Sequence, residues 1–284
     1  MHSAPVKKSD AVRLARKQCA SAPVIVLVRP TLSENVGACA RAMLNFGLAE
    51  LRLVEPRCDP LDEAAVRRAA GAEEVLRGAQ RFASVAKAVA DLSSVYATTA
   101  RARDMTSVVT TPRSAAAAIA AAAPSDRAGV LYGPEASGLS NADLAHAAAL
   151  IQIPTFEAFS SLNLSQAVNL FSYEWWQAHA ASKGSGEGGG EGGAEGVMVV
   201  RGGQQLAEQG VLDALCNRLE TALDENEFQP VPQHRESVYL QLRGMLSRVQ
   251  MSQAEAGILH GVITSLTRGP KSARKGTKKG KNGG

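Results

Sequence analysis

No apolar run in this 284-residue chain approaches the roughly 20 residues needed to cross a bilayer, so a membrane-spanning helix is not expected. The opening Met1-His-Ser-Ala-Pro-Val-Lys-Lys8 lacks the apolar core of a secretory signal, and a cytoplasmic location with no membrane partner is expected. Cysteine is sparse: Cys19, Cys39, Cys58 and Cys216 lie far apart with no C-x-x-C spacing, which argues against a zinc site and against a disulfide framework. No metal is therefore expected. A dinucleotide fingerprint is also missing where it would count. Gly-x-Gly-x-x-Gly occurs only within the glycine-rich run 184–196, where it follows no strand, so a nucleotide-binding dehydrogenase is disfavoured.

What is present is a globular chain. A hydrophobic content of 45% suffices for a sizeable core in one large domain, or in a main domain plus a small one. The net charge of +4 hides an asymmetry. Residues 268–284 hold seven Lys and Arg and no Asp or Glu, leaving the preceding 267 residues with 24 basic and 27 acidic side chains, a net −3. A Gly- and Lys-rich tail of this kind cannot bury a core and is expected to be disordered. Its charges suit phosphate backbones without reading sequence, or serve solubility alone.

Along the chain, residues 1–22 read as a polar lead-in. Strand patterns then fall at Pro23 to Val28, Glu50 to Val54, Ser94 to Thr98, Gly129 to Tyr132 and Ala148 to Ile153. Helical patterns alternate with them at about Val36 to Phe46, Asp62 to Arg77, Ser84 to Asp91, Ser114 to Ala123 and Ser140 to His146. This alternation predicts an α/β domain over 23–182, a mainly parallel sheet with helices on both faces. Residues 183–203, rich in Gly and Glu, read as a flexible linker. The region 204–268 reads as a small helical unit: Val211 to Asp224, Ser237 to Ser247, and Ser252 to Thr267 opened by the capping box Ser252-x-x-Glu255. It is too small for assured independence and is expected to dock on another surface. The basic tail is 269–284.

Three strand-to-helix junctions carry chemistry. In the first, Asn35 lies in the opening turn of a helix, and Gly37 and Arg41, four apart, share a face on which a guanidinium can project over a patch left open by the missing side chain. Arg41 suits phosphate, or else is an ordinary surface salt bridge. The second, Gly133-Pro-Glu135-Ala-Ser-Gly-Leu-Ser140, joins a glycine at a strand end, where a ligand can approach backbone, to the helix-start signal Ser140-x-x-Asp143; Glu135 is a site carboxylate or a solvated one. The third, Ser160 to Val168, precedes a helix whose Leu164, Ala167, Val168, Phe171 and Trp175 share one face. Ser161 or Asn163 can cap that helix, yet four polar side chains exceed what a cap needs. Ligands of parallel sheets bind beyond the carboxyl ends of the strands, where all three junctions lie.

In order, Asn35-x-Gly37-x-x-x-Arg41, Gly133-Pro-Glu-x-Ser-Gly-Leu-Ser140 and Ser161-Leu-Asn163-Leu-Ser-x-Ala-Val168 resemble the three-motif signature of the SPOUT-class, TrmH-like RNA 2′-O-ribose methyltransferases. The loop Ala97 to Arg103 and the segment Phe228 to Arg268 resemble the TrmJ branch of that family. The resemblance implies a sheet whose C-terminal part is tied in a trefoil knot, and methyl transfer from S-adenosylmethionine to a ribose 2′-hydroxyl. It implies cofactor contacts at Thr98, Thr99, Ala100, Gly133, Ile153, Ser160, Ser161 and Leu162, and a catalytic set of Arg41, Asn35, Ser161, Asn163 and Glu135. It also implies a homodimer, with Trp175 and Trp176 packing either the interface or the core. The expected substrate is tRNA, at cytidine or uridine 32 of the anticodon loop, and no DNA. The rivals are a ribosomal RNA or other-position tRNA methyltransferase, and a non-catalytic RNA-binding or assembly factor.

Overall fold

A computed structural model describes residues 10–19, 21–99, 107–184, 205–228 and 232–268. Seven strands form one sheet: β1 (Val24–Val28), β2 (Leu51–Val54), β3 (Gln80–Phe82), β4 (Ser94–Thr99), β5 (Val109–Thr110), β6 (Ala128–Tyr132) and β7 (Ala149–Gln152). Their spatial order is β3-β2-β1-β6-β4-β7-β5, and every neighbouring pair is parallel. A parallel sheet is covered on both faces, which is why β1, Val-Ile-Val-Leu-Val, is apolar at every position and buried throughout.

Alternation along β1 sends Ile25 and Leu27 into one core and Val24, Val26 and Val28 into the other. The first core is roofed by α2 (Ser33–Asn45), α3 (Glu63–Ala69), α4 (Glu73–Arg77), α6 (Pro112–Ala121) and α8 (Leu164–Gly184). The second lies under α5 (Val85–Val89) and α7 (Asn141–Leu144). Within α8, Val168, Phe171 and Trp175 are fully buried, so Trp175 belongs to the core, whereas Trp176 remains 38% exposed.

Sequence and structure differ in four places. The stretch read as a polar lead-in contains α1 (Ala11–Gln18). The single helix expected over 62–77 is two, because Ala70 adopts a left-handed φ of 47° and Gly71 follows at 107°. Two edge strands, β3 and β5, were not anticipated. They span three and two residues, too few for alternation to show.

The C-terminal helices are α9 (Gln209–Glu225), α10 (Pro232–Val249) and α11 (Gln253–Arg268). The Ser252/Glu255 capping box forms as expected, Ser252 N and Oγ both donating to Glu255. The unit has its own small core around Leu212, Leu215, Met251 and Ala256. It docks on the α/β domain. Gln209 N donates to Leu92 O (2.8 Å), Gly210 N to Ala90 O (2.9 Å) and Ser247 Oγ to Ala145 O (3.0 Å). Most of the run 183–203 and all of 269–284 lie outside the described residues.

Candidate active site

The carboxyl ends of β1 and β6 and the segment after β7 bring the three sequence junctions together. Around them runs a cavity of about 210 Å³ bordered by the loops after β4, β6 and β7. Thr98, Thr99, Gly133, Glu135, Ile153, Ser160, Ser161 and Leu162 all line it; Ala100 lies outside the described residues. Ile151, Leu139, Leu144 and Leu164 supply apolar walls, while Thr98 Oγ1 donates to Leu131 O (3.1 Å), joining the β4 and β6 ends. A pocket with apolar walls and a few convergent polar groups suits a ligand with a flat ring and a charged end.

Asn35, Asn163 and Glu135, drawn from three separate junctions, form one hydrogen-bonded chain with a fixed direction. An ionised carboxylate only accepts. Asn35 Nδ2 therefore donates to Glu135 Oε1 (2.8 Å), which leaves Asn35 Oδ1 to accept from Asn163 Nδ2 (3.0 Å). Asn163 Oδ1 in turn accepts from Ser165 N (2.8 Å) and Ser165 Oγ (2.7 Å), capping α8. The reciprocal half of the cap is Asn163 N donating to Gln166 Oε1 (3.2 Å). Asn163 thus both caps the helix and links the first and third junctions.

Thr31 completes the group. Its N and Oγ1 donate to Glu135 Oε2 at 3.3 and 2.8 Å, so both carboxylate oxygens are engaged. Burial alone would push the Glu135 carboxyl up, but donation from Asn35, its own backbone N–H and Thr31 holds it below the usual carboxylate range. Glu135 is consequently ionised near neutral pH and a weak base. Sequence reading passed over Thr31, because a threonine after a strand has no local pattern pointing to a partner 104 residues away.

Two glycine readings change. Gly37 leaves no open patch: a Cβ there would stand 2.1 Å from Ala65 O, so the missing side chain admits the backbone of α3. Gly133 does border the pocket, but its own turn already requires glycine, a Cβ meeting Leu139 N at 2.4 Å. Arg41 is exposed on α2, outside the cavity lining, and among the described residues it has no ion pair. Ser161 is exposed at the pocket edge. The helix-start signal at Ser140 forms a full capping box with Asp143.

Elsewhere, burial pushes the Cys216 thiol up to about 11 and raises Cys19, Cys39 and Cys58 as well, and all four are free thiols. Among the described residues no group of three His, Cys, Asp or Glu side chains is placed to hold a metal ion, and no helix is long and apolar enough to cross a membrane.

A family model described as the SpoU rRNA Methylase family matches residues 22–173. The tRNA (cytidine/uridine-2′-O-)-methyltransferase TrmJ of Photorhabdus laumondii is 30% identical over 242 residues, 85% of this chain and 95% of the relative. The tRNA (cytidine/uridine/adenosine-2′-O-)-methyltransferase TrmJ of Pseudomonas aeruginosa is 30% identical over 84% of this chain and 91% of its own length. Among solved structures, TrmJ from Z. mobilis ZM4 superimposes with a TM-score of 0.74 at 39% identity, covering 86% of this chain and 99% of that one.

Proposed function

This chain belongs to the SpoU methylase family of methyltransferases, and on that premise we propose that it transfers a methyl group from S-adenosylmethionine to a ribose 2′-hydroxyl of tRNA. The observation that carries the reading is the linkage of Asn35, Glu135 and Asn163 into one network beside a pocket lined by the residues expected to hold the cofactor. The likeness to the tRNA-modifying relatives reaches past the family model into the C-terminal helices. That extent favours tRNA over ribosomal RNA.

The pocket fits the cofactor chemically. Ile153 and Leu162 offer apolar contact to a ring, and the backbone of Thr98, Thr99, Gly133, Ser160 and Ser161 offers hydrogen bonds to its edge and to the amino-acid end. S-adenosylmethionine supplies an electrophilic methyl on a sulfonium. The chain's share of the work is to hold the 2′-oxygen in line with that methyl and to exclude competing water. Asn35 and Asn163, locked in one orientation by Glu135, fix the wall against which the ribose rests. Arg41 grips a phosphate beside the target ribose and so helps to hold the 2′-oxygen against the methyl. The hydroxyl becomes strongly acidic as the new C–O bond forms, so a phosphate oxygen or water suffices to take the proton. Glu135 is assigned to positioning, because its oxygens are already engaged and its carboxyl is a weak base.

Arg41 lies outside the cavity lining of its own chain, which supports an assembly of two copies in which α2 of one subunit faces the pocket of the other. Half-exposed Leu170, Tyr173 and Trp176 on α8 provide apolar surface for it. Sedimentation should give a dimer at micromolar concentration, and a monomer would remove this part of the reading. The target nucleotide is cytidine or uridine 32 of the anticodon loop, where an unpaired ribose is reachable without opening a duplex. A tRNA substrate places the enzyme in the cytoplasm. Residues 183–203 serve as the linker to the docked helical unit, and the basic tail 269–284 adds phosphate contacts. The reading is tested by incubating the protein with labelled cofactor and separate pools of tRNA and ribosomal RNA. Label confined to tRNA is expected; label confined to ribosomal RNA would reassign the substrate.

A further inference from the structure

Arg29, the residue directly after β1, has a φ of 48°, in the left-handed region that glycine occupies without cost. An L side chain there costs about 1 kcal/mol, and an arginine held in that backbone points to work done by its side chain. The guanidinium donates through Nη1 (3.3 Å) and Nη2 to the two oxygens of Asp143, and Glu55 lies 3.7 Å away. Asp143 is 6% exposed and also accepts from Ser140 N (2.8 Å) and Oγ (2.7 Å). Four donations onto one buried carboxylate make a rigid joint.

Its place in the fold gives it a consequence for the reaction. Thr31 and Asn35 already hold Glu135, near the start of the loop after β6. The Arg29–Asp143 pair holds the far end of the same loop, at the opening turn of α7. One cross-link would leave the loop free to pivot about Glu135, whereas two fix its orientation. We propose that Arg29 is a positioning residue for methyl transfer: through Asp143 it sets the pocket loop 133–140 in register with the β1–α2 junction bearing Thr31, Asn35 and Arg41. The proposal rests on the methyltransferase reading above and adds to it a residue that contacts neither cofactor nor acceptor.

Arg29→Gly separates this role from simple stabilisation, since glycine relieves the backbone while deleting the guanidinium. The variant should stay folded at assay temperature with its thermal midpoint several degrees lower, because Asp143 keeps only Ser140 as a donor, while its calorimetric S-adenosylmethionine affinity falls by no more than threefold. Its kcat on tRNA should fall tenfold or more, the scale expected when reacting groups are misplaced by about 1 Å. Arg29→Lys, a point charge that cannot span both oxygens, should recover only part of that loss. Amide hydrogen exchange at 31–35 and 136–140 should quicken in Arg29→Gly. Turnover within twofold of wild type, or cofactor affinity falling by as much as kcat, would overturn the proposal. A wild-type protein that methylates no RNA would defeat the functional reading instead, and unchanged exchange in Arg29→Gly would then overturn the clamp independently.

Discussion

The directed chain Ser165→Asn163→Asn35→Glu135 makes a prediction that simple loss of contacts does not. In Asn163→Asp the cap is retained, because aspartate caps about as well as asparagine and gains some 0.3–1 kcal/mol from the helix dipole. What is lost is the donor to Asn35 Oδ1, an oxygen on a side chain only 9% exposed. An unsatisfied buried acceptor costs about 1–3 kcal/mol. The net loss should be about 1–2 kcal/mol, or about 2–8 °C in melting temperature for a domain of this size. Methyl transfer should fall further, by about a hundredfold, since the wall that orients the ribose is no longer fixed. Glu135→Gln should also lose activity, because its new N–H₂ faces the N–H₂ of Asn35. Combining Asn163→Asp with Glu135→Gln reverses both links at Asn35 and leaves the Ser165 cap as it is. The introduced glutamine then donates to Asn35 Oδ1, Asn35 Nδ2 donates to the introduced aspartate, and the glutamine carbonyl still accepts from Thr31. Stability by calorimetry and tRNA methylation by label incorporation should both recover most of what either single change costs. If the double variant is as impaired as the sum of the singles, the fixed direction of the chain is wrong.

Further expectations concern neighbouring features. Gly37→Ala would force a Cβ to 2.1 Å from Ala65 O; overpacking of about 3 kcal/mol against a helix-propensity gain of up to about 1 should leave it about 2 kcal/mol less stable in denaturant unfolding. Arg41→Ala should change stability by less than about 0.5 kcal/mol, because the side chain is exposed and unpaired among the described residues. It should abolish turnover while leaving cofactor affinity unchanged, and Arg41→Lys retaining near-full turnover would refute a bidentate grip. Asp143 resembles Glu135: burial would raise its carboxyl, but Arg29 and Ser140 hold it below the usual range. Both carboxylates therefore bind fewer protons folded than unfolded below about pH 4. Their stabilisation is complete above that range and is lost as pH falls through the lower folded values. Acid titration of Arg29→Gly should show a shallower loss. Truncation after Arg268 should weaken tRNA binding and flatten its dependence on salt; an unaltered salt slope would retire the tail from RNA binding.

Much of the sheet was legible because burial on both faces leaves an unmistakable mark, as in the continuous apolar run of β1. Capping chemistry was equally readable: Ser140/Asp143 and Ser252/Glu255 form the boxes their spacing implies. The break in the helix at Ala70 was missed, since alanine carries no preference for the left-handed backbone it adopts. In the site, the family resemblance pointed to Asn35, Glu135 and Asn163, but not to which of them touch. Contacts across 100 and 128 positions depend on the crossing of strands, and no local pattern encodes that. The same reason hid Thr31 and Arg29. Gly37 and Gly133 were visible as special positions, yet only packing reveals that α3 and the loop's own backbone fill the space each leaves.

The most direct measurement is to modify unmethylated tRNA with the protein and S-adenosylmethionine, digest it with ribonuclease, and locate the added methyl by mass spectrometry. The expected product is a 2′-O-methylated cytidine or uridine at nucleotide 32, absent with Arg41→Ala. A methyl on a base, or no transfer to any RNA under conditions where the pocket binds S-adenosylmethionine, would contradict it.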